Sequence, residues 1–307
     1  MSLLIVGSLA YDSIETPYEK VEDALGGSSS YISFASSYFT KPIEIVGVVG
    51  DDFKSEHLQI FKDKNIGLEG VQIVEGGKTF RWGGKYHHDF NQRDTIYTDL
   101  NVFADFNPVI PEKCKESEYV MLGNIDPTLQ LSVLDQVRES KFVVCDTMNL
   151  WIDIKKDDLL KVLKRIDVII VNDSEAKLLT SEPNLIKAAK IIKEMGPQIV
   201  IIKKGEHGAL LFAEDKIFSA PALPMEVVFD PTGAGDTFAG GFIGYLHRTK
   251  NHSFENLKRA VIYGSTLASY CVEQFSTRGI ENLDTEKIRA RFNQFVELAR
   301  FDADEQF

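Results

Sequence analysis

Short apolar runs at residues 3–6, 43–49, 119–122, 142–145, 168–171 and 199–202 set the main limit on what this chain can fold into. A strand that is apolar on both faces must be covered on both faces, which is the situation of parallel sheets packed between helices. The cover comes from the intervening segments, where residues 129–137, 159–166 and 185–195 carry apolar side chains at helical spacing. The repeating unit is therefore β-α-β, and the expected fold class is α/β, three layers around a mostly parallel sheet. With 307 residues and 44% hydrophobic content, the chain can bury the core of one large domain or two small ones. Residues 209–212 and 217–220 flank Glu214-Asp215 and read as an edge hairpin, and the last third reads as mainly helical.

Residues 69–103 break this rhythm. Within them, 71–74, 79–82 and 95–98 read as exposed strands separated by Gly76-Gly77 and Gly83-Gly84. Together with a second piece at about 13–24, they are expected to form a small β lid over the carboxyl edge of the sheet. A static surface insertion is the alternative. Gly76-Gly77-Lys78-Thr79 mimics the end of a phosphate-binding loop, but Gln72 stands where the first glycine belongs, so a turn between strands explains it better. His87-His88-Asp89 lacks a spaced partner and reads as polar lid loop rather than metal site.

The net charge of −12, from 34 basic and 46 acidic residues, argues against a nucleic-acid surface. Cys114, Cys145 and Cys271 are too few and too scattered for a disulfide framework or a zinc site. No run reaches the length of a membrane span and no secretory leader is visible, so a cytoplasmic protein with a small-molecule partner is expected.

Residues 230–241 read Asp-Pro-Thr-Gly-Ala-Gly-Asp-Thr-Phe-Ala-Gly-Gly. The apolar run Val227, Val228, Phe229 before them and Phe238, Phe242, Ile243 and Leu246 after them predict strand, glycine turn, helix. Gly233, Ala234 and Gly235 let backbone N–H groups approach an anion at the helix N-terminus. Asp236 beside such an anion makes sense as a base that takes a proton from an attacking hydroxyl, or else as a favourable charge on the first helical turn. Similar double readings apply elsewhere. Gly26-Gly27-Ser28-Ser29-Ser30-Tyr31 opens a helix and is either a capped start or a close-approach site. Asp12, just past the first strand, is a turn acid or a partner for vicinal hydroxyls. Asn172-Asp173-Ser174-Glu175 is a helix cap or a ligand-binding edge, and Lys203-Lys204-Gly205-Glu206-His207-Gly208 is a hairpin turn or a nucleotide contact.

The glycine-rich segment 230–241 closely resembles the second signature of the ribokinase family, also called the PfkB carbohydrate kinases, and Gly26 to Tyr31 resemble the first. The resemblance spans most of the chain. It implies a single ribokinase-like domain over 1–307 and ATP-dependent phosphorylation of a hydroxyl. A sugar is the leading acceptor and a nucleoside the second; a catalytically silent ligand-binding homologue comes third. By this resemblance Asp236 is the catalytic base, and the amides of Gly233, Ala234 and Gly235 form an anion hole. Asp12, Gly26 and Gly27 hold the acceptor, with Asn124 and Asn149 lining its pocket. Tyr31 replaces the asparagine usual in the family, which commonly hydrogen-bonds acceptor hydroxyls. Asn172 and Glu175 match the Asn-x-x-Glu motif that organises magnesium and its waters, while Lys203, Gly205 and Gly208 face the nucleotide. Asp230 and the Thr232 carbonyl match a monovalent-cation site, which implies potassium activation, and relatives often form homodimers through the lid. Tyr31 and the aromatic lid residues Phe80, Trp82 and Tyr86 keep the nucleoside as the second acceptor, because aromatic rings can stack on a base. Arg81 and Arg93 either bind a phosphorylated substrate or sit in solvent. Asp146-Thr147-Met148-Asn149 loosely resembles an Asp-Pro-Asn turn of sugar-acid kinases.

Overall fold

The computed structural model of the protein describes residues 2–90, 92–138 and 140–300. In chain order the first strands are β1 (Leu3–Val6), β2 (Ala10–Glu15), β3 (Lys20–Gly26), β4 (Ile43–Gly50), β5 (Ile66–Val74), β6 (Phe80–Tyr86) and β7 (Arg93–Asp99). They are followed by β8 (Tyr119–Leu122), β9 (Phe142–Asp146), β10 (Val168–Asn172), β11 (Ile199–Lys203), β12 (Ala209–Ala213) and β13 (Lys216–Ala220). The helices are α1 (Ser28–Ser37), α2 (Ser55–Asp63), α3 (Pro127–Gln136), α4 (Asn149–Ile154), α5 (Lys156–Leu163), α6 (Asp173–Thr180) and α7 (Leu185–Met195). Four more close the chain: α8 (Ala234–Thr249), α9 (Phe254–Cys271), α10 (Arg278–Glu281) and α11 (Thr285–Leu298).

Nine strands form one sheet in the order β13-β12-β11-β10-β9-β8-β1-β4-β5, parallel except for the hairpin β12-β13 at one edge. The two-residue period of the strand divides the core. Leu3 and Ile5 face a layer built with Phe34 of α1, Phe242 of α8 and Val261 of α9. Leu4 and Val6 face the opposite layer, with Val133 of α3, Val162 of α5 and Ile192 of α7. All four β1 side chains are fully buried, so the expected apolar, two-sided strand is realised. Helix α8 lies close against α1: the Ser36 hydroxyl donates to the Gly240 carbonyl at 2.9 Å, and a side chain at Gly240 would overlap the α1 backbone. That contact holds the two helices in close approach.

The second sheet has the order β3-β2-β6-β7 and forms a flap. It differs from the sequence expectation in two respects. Residues 71–74 belong to β5 in the large sheet, where Gly47 pairs with Val71 and Gly50 with Val74, because the long strand β4 needs a partner along its whole length. Ile73 and Val74 are exposed because β5 is an edge strand, not because they belong to the lid. The flap in turn begins at Ala10, and β2 pairs parallel with β6. It docks through a small cluster of Ile14, Tyr86 and Phe275, and the Ser276 hydroxyl donates to the Leu25 carbonyl.

Residues 227–229 are a further correction: they form no strand. The Phe229 amide donates instead to the Val272 carbonyl just beyond α9. Among the described residues no helix is long and apolar enough to cross a membrane.

Candidate active site

The carboxyl ends of the central strands and the inner side of the flap enclose a cavity of about 850 Å³. Open α/β sheets bind ligands at this edge, because loops leaving the strands there converge without a helix in the way. Asp12, Gly27, Tyr31, Asn124, Asn149, Asn172, Glu175, Lys203, Thr232, Gly233, Gly235 and Asp236 all line it. These residues come from segments up to 224 positions apart (236 − 12), so the fold gathers what the sequence scatters.

Five expected site residues lie outside the lining. Gly26 leaves room for the Asp12 carboxylate, which a side chain there would overlap. Gly205 and Gly208 adopt positive φ in the turn between β11 and β12. Ala234 begins α8, but its amide donates to the Pro231 carbonyl at 3.2 Å and so serves the turn. Asp230 is fully buried beneath the loop, where its carboxylate accepts the Thr232 amide at 2.8 Å and the Ser276 amide at 2.9 Å. Those two bonds tie the glycine turn to the segment that follows α9. The Thr232 hydroxyl lies 3.0 Å from that of Tyr86, which ties the same turn to the flap.

At the N-terminus of α8, Gly233 has φ 74° and ψ 0°, a left-handed conformation that glycine adopts without steric cost. Asp236 follows in the first turn with its Oδ1 buried and without a hydrogen-bond partner. Burial, together with the Asp146 and Glu175 charges and against the Lys203 ammonium, raises its carboxyl to about 7. Burial also raises Asp12 to about 8, reinforced by Asp230 and Asp236 and opposed by Arg93. Glu175 is pushed up to about 7, again chiefly by burial. It forms the capping box that its spacing allows: the Asn172 amide donates to Glu175 Oε2 at 2.7 Å, and the Glu175 amide to Asn172 Oδ1 at 2.8 Å. The cap and the cavity lining are thus compatible roles for the same pair. Burial alone would lower the Lys203 ammonium, but the carboxylates of Asp146, Glu175 and Asp236 raise it on balance.

The cavity also has an aromatic lining. Phe80, Trp82 and Tyr86 reach it from β6, and Phe103 and Trp151 close it. Phe80 stacks on Phe103 at 5.3 Å, and the Arg93 guanidinium lies 4.9 Å from the Trp82 ring centre. Arg93 therefore belongs to the cavity, whereas Arg81 pairs with Asp23 and Asp52 outside its lining. Asn124 accepts the Trp151 indole N–H at 3.0 Å and donates to Met148 Sδ at 3.2 Å, so its amide positions a wall residue. Sequence reasoning missed Trp151 and left Asp146 unassigned. The signal available for Asp146 was its position at the carboxyl end of a buried strand; for Trp151 there was none.

Among the described residues no group of three or more His, Cys, Asp or Glu side chains could hold a metal ion by itself. A water-rich magnesium ion needs only one or two protein carboxylates, which Glu175 satisfies. An anion fits the α8 N-terminus, where Gly235 has no side chain and a Cβ would come within 2.8 Å of Lys203 Nζ.

A family model described as pfkB family carbohydrate kinase matches residues 2–283. A cytidine kinase of Thermococcus kodakarensis is 29% identical over 252 residues, covering 80% of this chain and 88% of that protein. A ribokinase of Lactococcus lactis subsp. lactis is 29% identical over 257 residues, covering 82% and 80%. Among solved structures, a Burkholderia thailandensis nucleoside kinase in complex with inosine shares the fold, with a TM-score of 0.81, 21% identity and coverage of 96% of this chain and 99% of that one. The family match runs through both sheets and the loop that carries Asp236, and by it the chain belongs to the pfkB family of carbohydrate kinases and is an ATP-dependent kinase.

Proposed function

We propose that this kinase phosphorylates a sugar hydroxyl of a nucleoside. The observation that carries the reading is the aromatic part of the cavity lining, Phe80, Trp82, Phe103 and Trp151, which share one cavity with Asp12, Gly27 and Asp236. A nucleoside has the matching division, with a flat base for the rings and a ribose for the polar end. The likeness to a cytidine kinase supports it. A free sugar is the second reading, supported by an equal identity to a ribokinase. ADP release measured with magnesium, potassium and a panel of nucleosides and free sugars separates the two. Turnover confined to free sugars overturns the nucleoside assignment.

In this reading Asp12 accepts hydrogen bonds from the ribose hydroxyls, Gly27 lets the acceptor approach the backbone, and Asp236 takes the proton of the attacking hydroxyl. The helix N-terminus at Gly233 and Gly235 offers its amides to the anionic group beside Asp236. When bound, ATP supplies the phosphoryl group and magnesium spreads its charge; Asn172, Glu175 and Lys203 edge the space they would take. Asp230 and the Thr232 carbonyl would hold potassium, so replacing potassium by sodium lowers turnover.

Tyr31 stands against this acceptor end, and its hydroxyl is buried without a partner. A buried, unsatisfied hydroxyl costs about 1–3 kcal/mol. Tyr31→Phe is therefore expected to leave the melting temperature unchanged or raised while KM for the acceptor rises about tenfold, the worth of one lost hydrogen bond. An unchanged KM in steady-state kinetics removes Tyr31 from acceptor recognition.

A further inference from the structure

We propose that Lys203 is a catalytic residue that carries the charge of the transferred phosphoryl group, and that Asp146 is the positioning residue that holds it there. The inference rests on the reading of the α8 N-terminus as the phosphate site. Lys203 ends β11 and Asp146 ends β9, on either side of β10, with 19% and 7% of their side chains exposed. Lys203 Nζ lies 3.7 Å from Asp146 Oδ1, beyond the length of about 2.7–2.9 Å of a full charge-assisted hydrogen bond. Asp146 Oδ1 is buried with no hydrogen-bond partner, as is Asp236 Oδ1. The ammonium therefore sits among carboxylates without being consumed by any of them, and it abuts Gly235, where only the missing side chain leaves space.

An anion placed at that glycine is within reach of the lysine's three donors. The arrangement answers a difficulty in the site itself: a phosphate brought beside Asp236 is repelled by it, and a cation is needed to offset that repulsion. Lys203 supplies the cation, Asp146 holds it from 3.7 Å away, and Asp236 Oδ1, without a partner, stays free to accept a proton. In the transfer, the bond between acceptor oxygen and phosphorus forms while the bond from phosphorus to the ADP oxygen breaks, with the electron pair leaving on ADP. The hydroxyl proton goes to Asp236, and Lys203 keeps its own protons throughout. A purely structural ion pair would lack the approach to Gly235, and buried pairs are weak evidence of stabilisation in any case.

The test is calorimetric binding of two probes, ADP and the imido analogue of ATP, to wild type, Lys203→Met and Asp146→Asn, each with magnesium. Lys203→Met is expected to weaken the triphosphate analogue about tenfold or more, and ADP less than about threefold, since one charge-assisted contact to the terminal phosphate is lost. Asp146→Asn is expected to shift the same ratio in the same direction by a smaller factor, and Lys203→Arg to restore part of it. If wild type binds both probes equally, the phosphate-site reading fails and takes the inference with it. If wild type prefers the analogue and the folded Lys203→Met variant keeps that preference, the role of the lysine alone is overturned. Should Lys203→Met not fold, an unshifted ratio in Asp146→Asn and Lys203→Arg overturns the inference in the same way.

Discussion

If Asp236 is the general base proposed above, Asp236→Asn is expected to lower turnover by about two or more orders of magnitude while acceptor and nucleotide still bind. Asparagine keeps the shape and the hydrogen-bonding oxygen but cannot take the proton of the acceptor hydroxyl. Positioning by Asp12, Gly27 and the α8 N-terminus survives, so some activity remains. A second measurement separates loss of the base from loss of structure. The wild-type carboxyl is raised from 3.8 to about 7, so kcat/KM falls about tenfold per pH unit below that value as the base becomes protonated. The same shift bears on stability. Between those two values the folded state holds a proton that the unfolded chain has lost, so folding stability falls as pH rises through that window, and above it the full cost of a buried charge is present. Asp236→Asn lacks that cost. Its melting temperature therefore exceeds that of wild type at pH 8, and the gap closes towards pH 4. Near-normal turnover, or a variant less stable than wild type at pH 8, contradicts the assignment.

Much of this site was legible in the sequence because its parts are local motifs at strand ends. Gly233, Gly235, Asp236, Asn172 and Glu175 each follow an apolar run or open a helix, and the resemblance to the ribokinase signatures, not spacing alone, chose the site reading over the cap. The β-α-β order was legible for the same reason: strands such as β1 are apolar on both faces and hold no other reading. Where the sequence misled, the missing information was pairing. Residues 71–74 have the same local pattern whether their partner is β4 or a lid strand, and only the length of β4 decides it. Val227 to Phe229 are apolar enough for a strand, but the Phe229 amide is taken by the Val272 carbonyl beyond α9 and not by a strand. Asp146 reaches the cavity from the end of β9 and Trp151 from α4, and nothing local distinguishes Trp151 from a surface ring. The commitment of the Ala234 amide to Pro231 is likewise a matter of turn geometry. A capping box and a ligand edge have one sequence pattern, and Glu175 occupies both at once.

Gly233→Ala is expected to destabilise the protein by about 2–5 kcal/mol and to lower activity sharply, from two separable causes. The first is backbone conformation: a residue with a Cβ in the left-handed region costs about 1–2 kcal/mol. The second is overlap. A Cβ at this position would intersect the Tyr31 ring, and overpacking of a close contact costs about 1–3 kcal/mol. A double-mutant cycle distinguishes them. Tyr31→Asn, which restores the asparagine usual in ribokinase relatives, removes the ring and with it the overlap, but leaves the conformational cost untouched. The two substitutions should therefore couple by about 1–3 kcal/mol in chemical denaturation, the double variant being more stable than the sum of the single losses predicts. Tyr31→Phe gives the control, because the overlapping ring carbons remain and the coupling should vanish. Additive losses with Tyr31→Asn would show that the ring yields freely, and that the turn at Gly233 is set by its backbone alone. Coupling would show that this chain has fitted its glycine turn to a tyrosine. The residue that shapes the acceptor end would then also constrain the loop that carries Asp236.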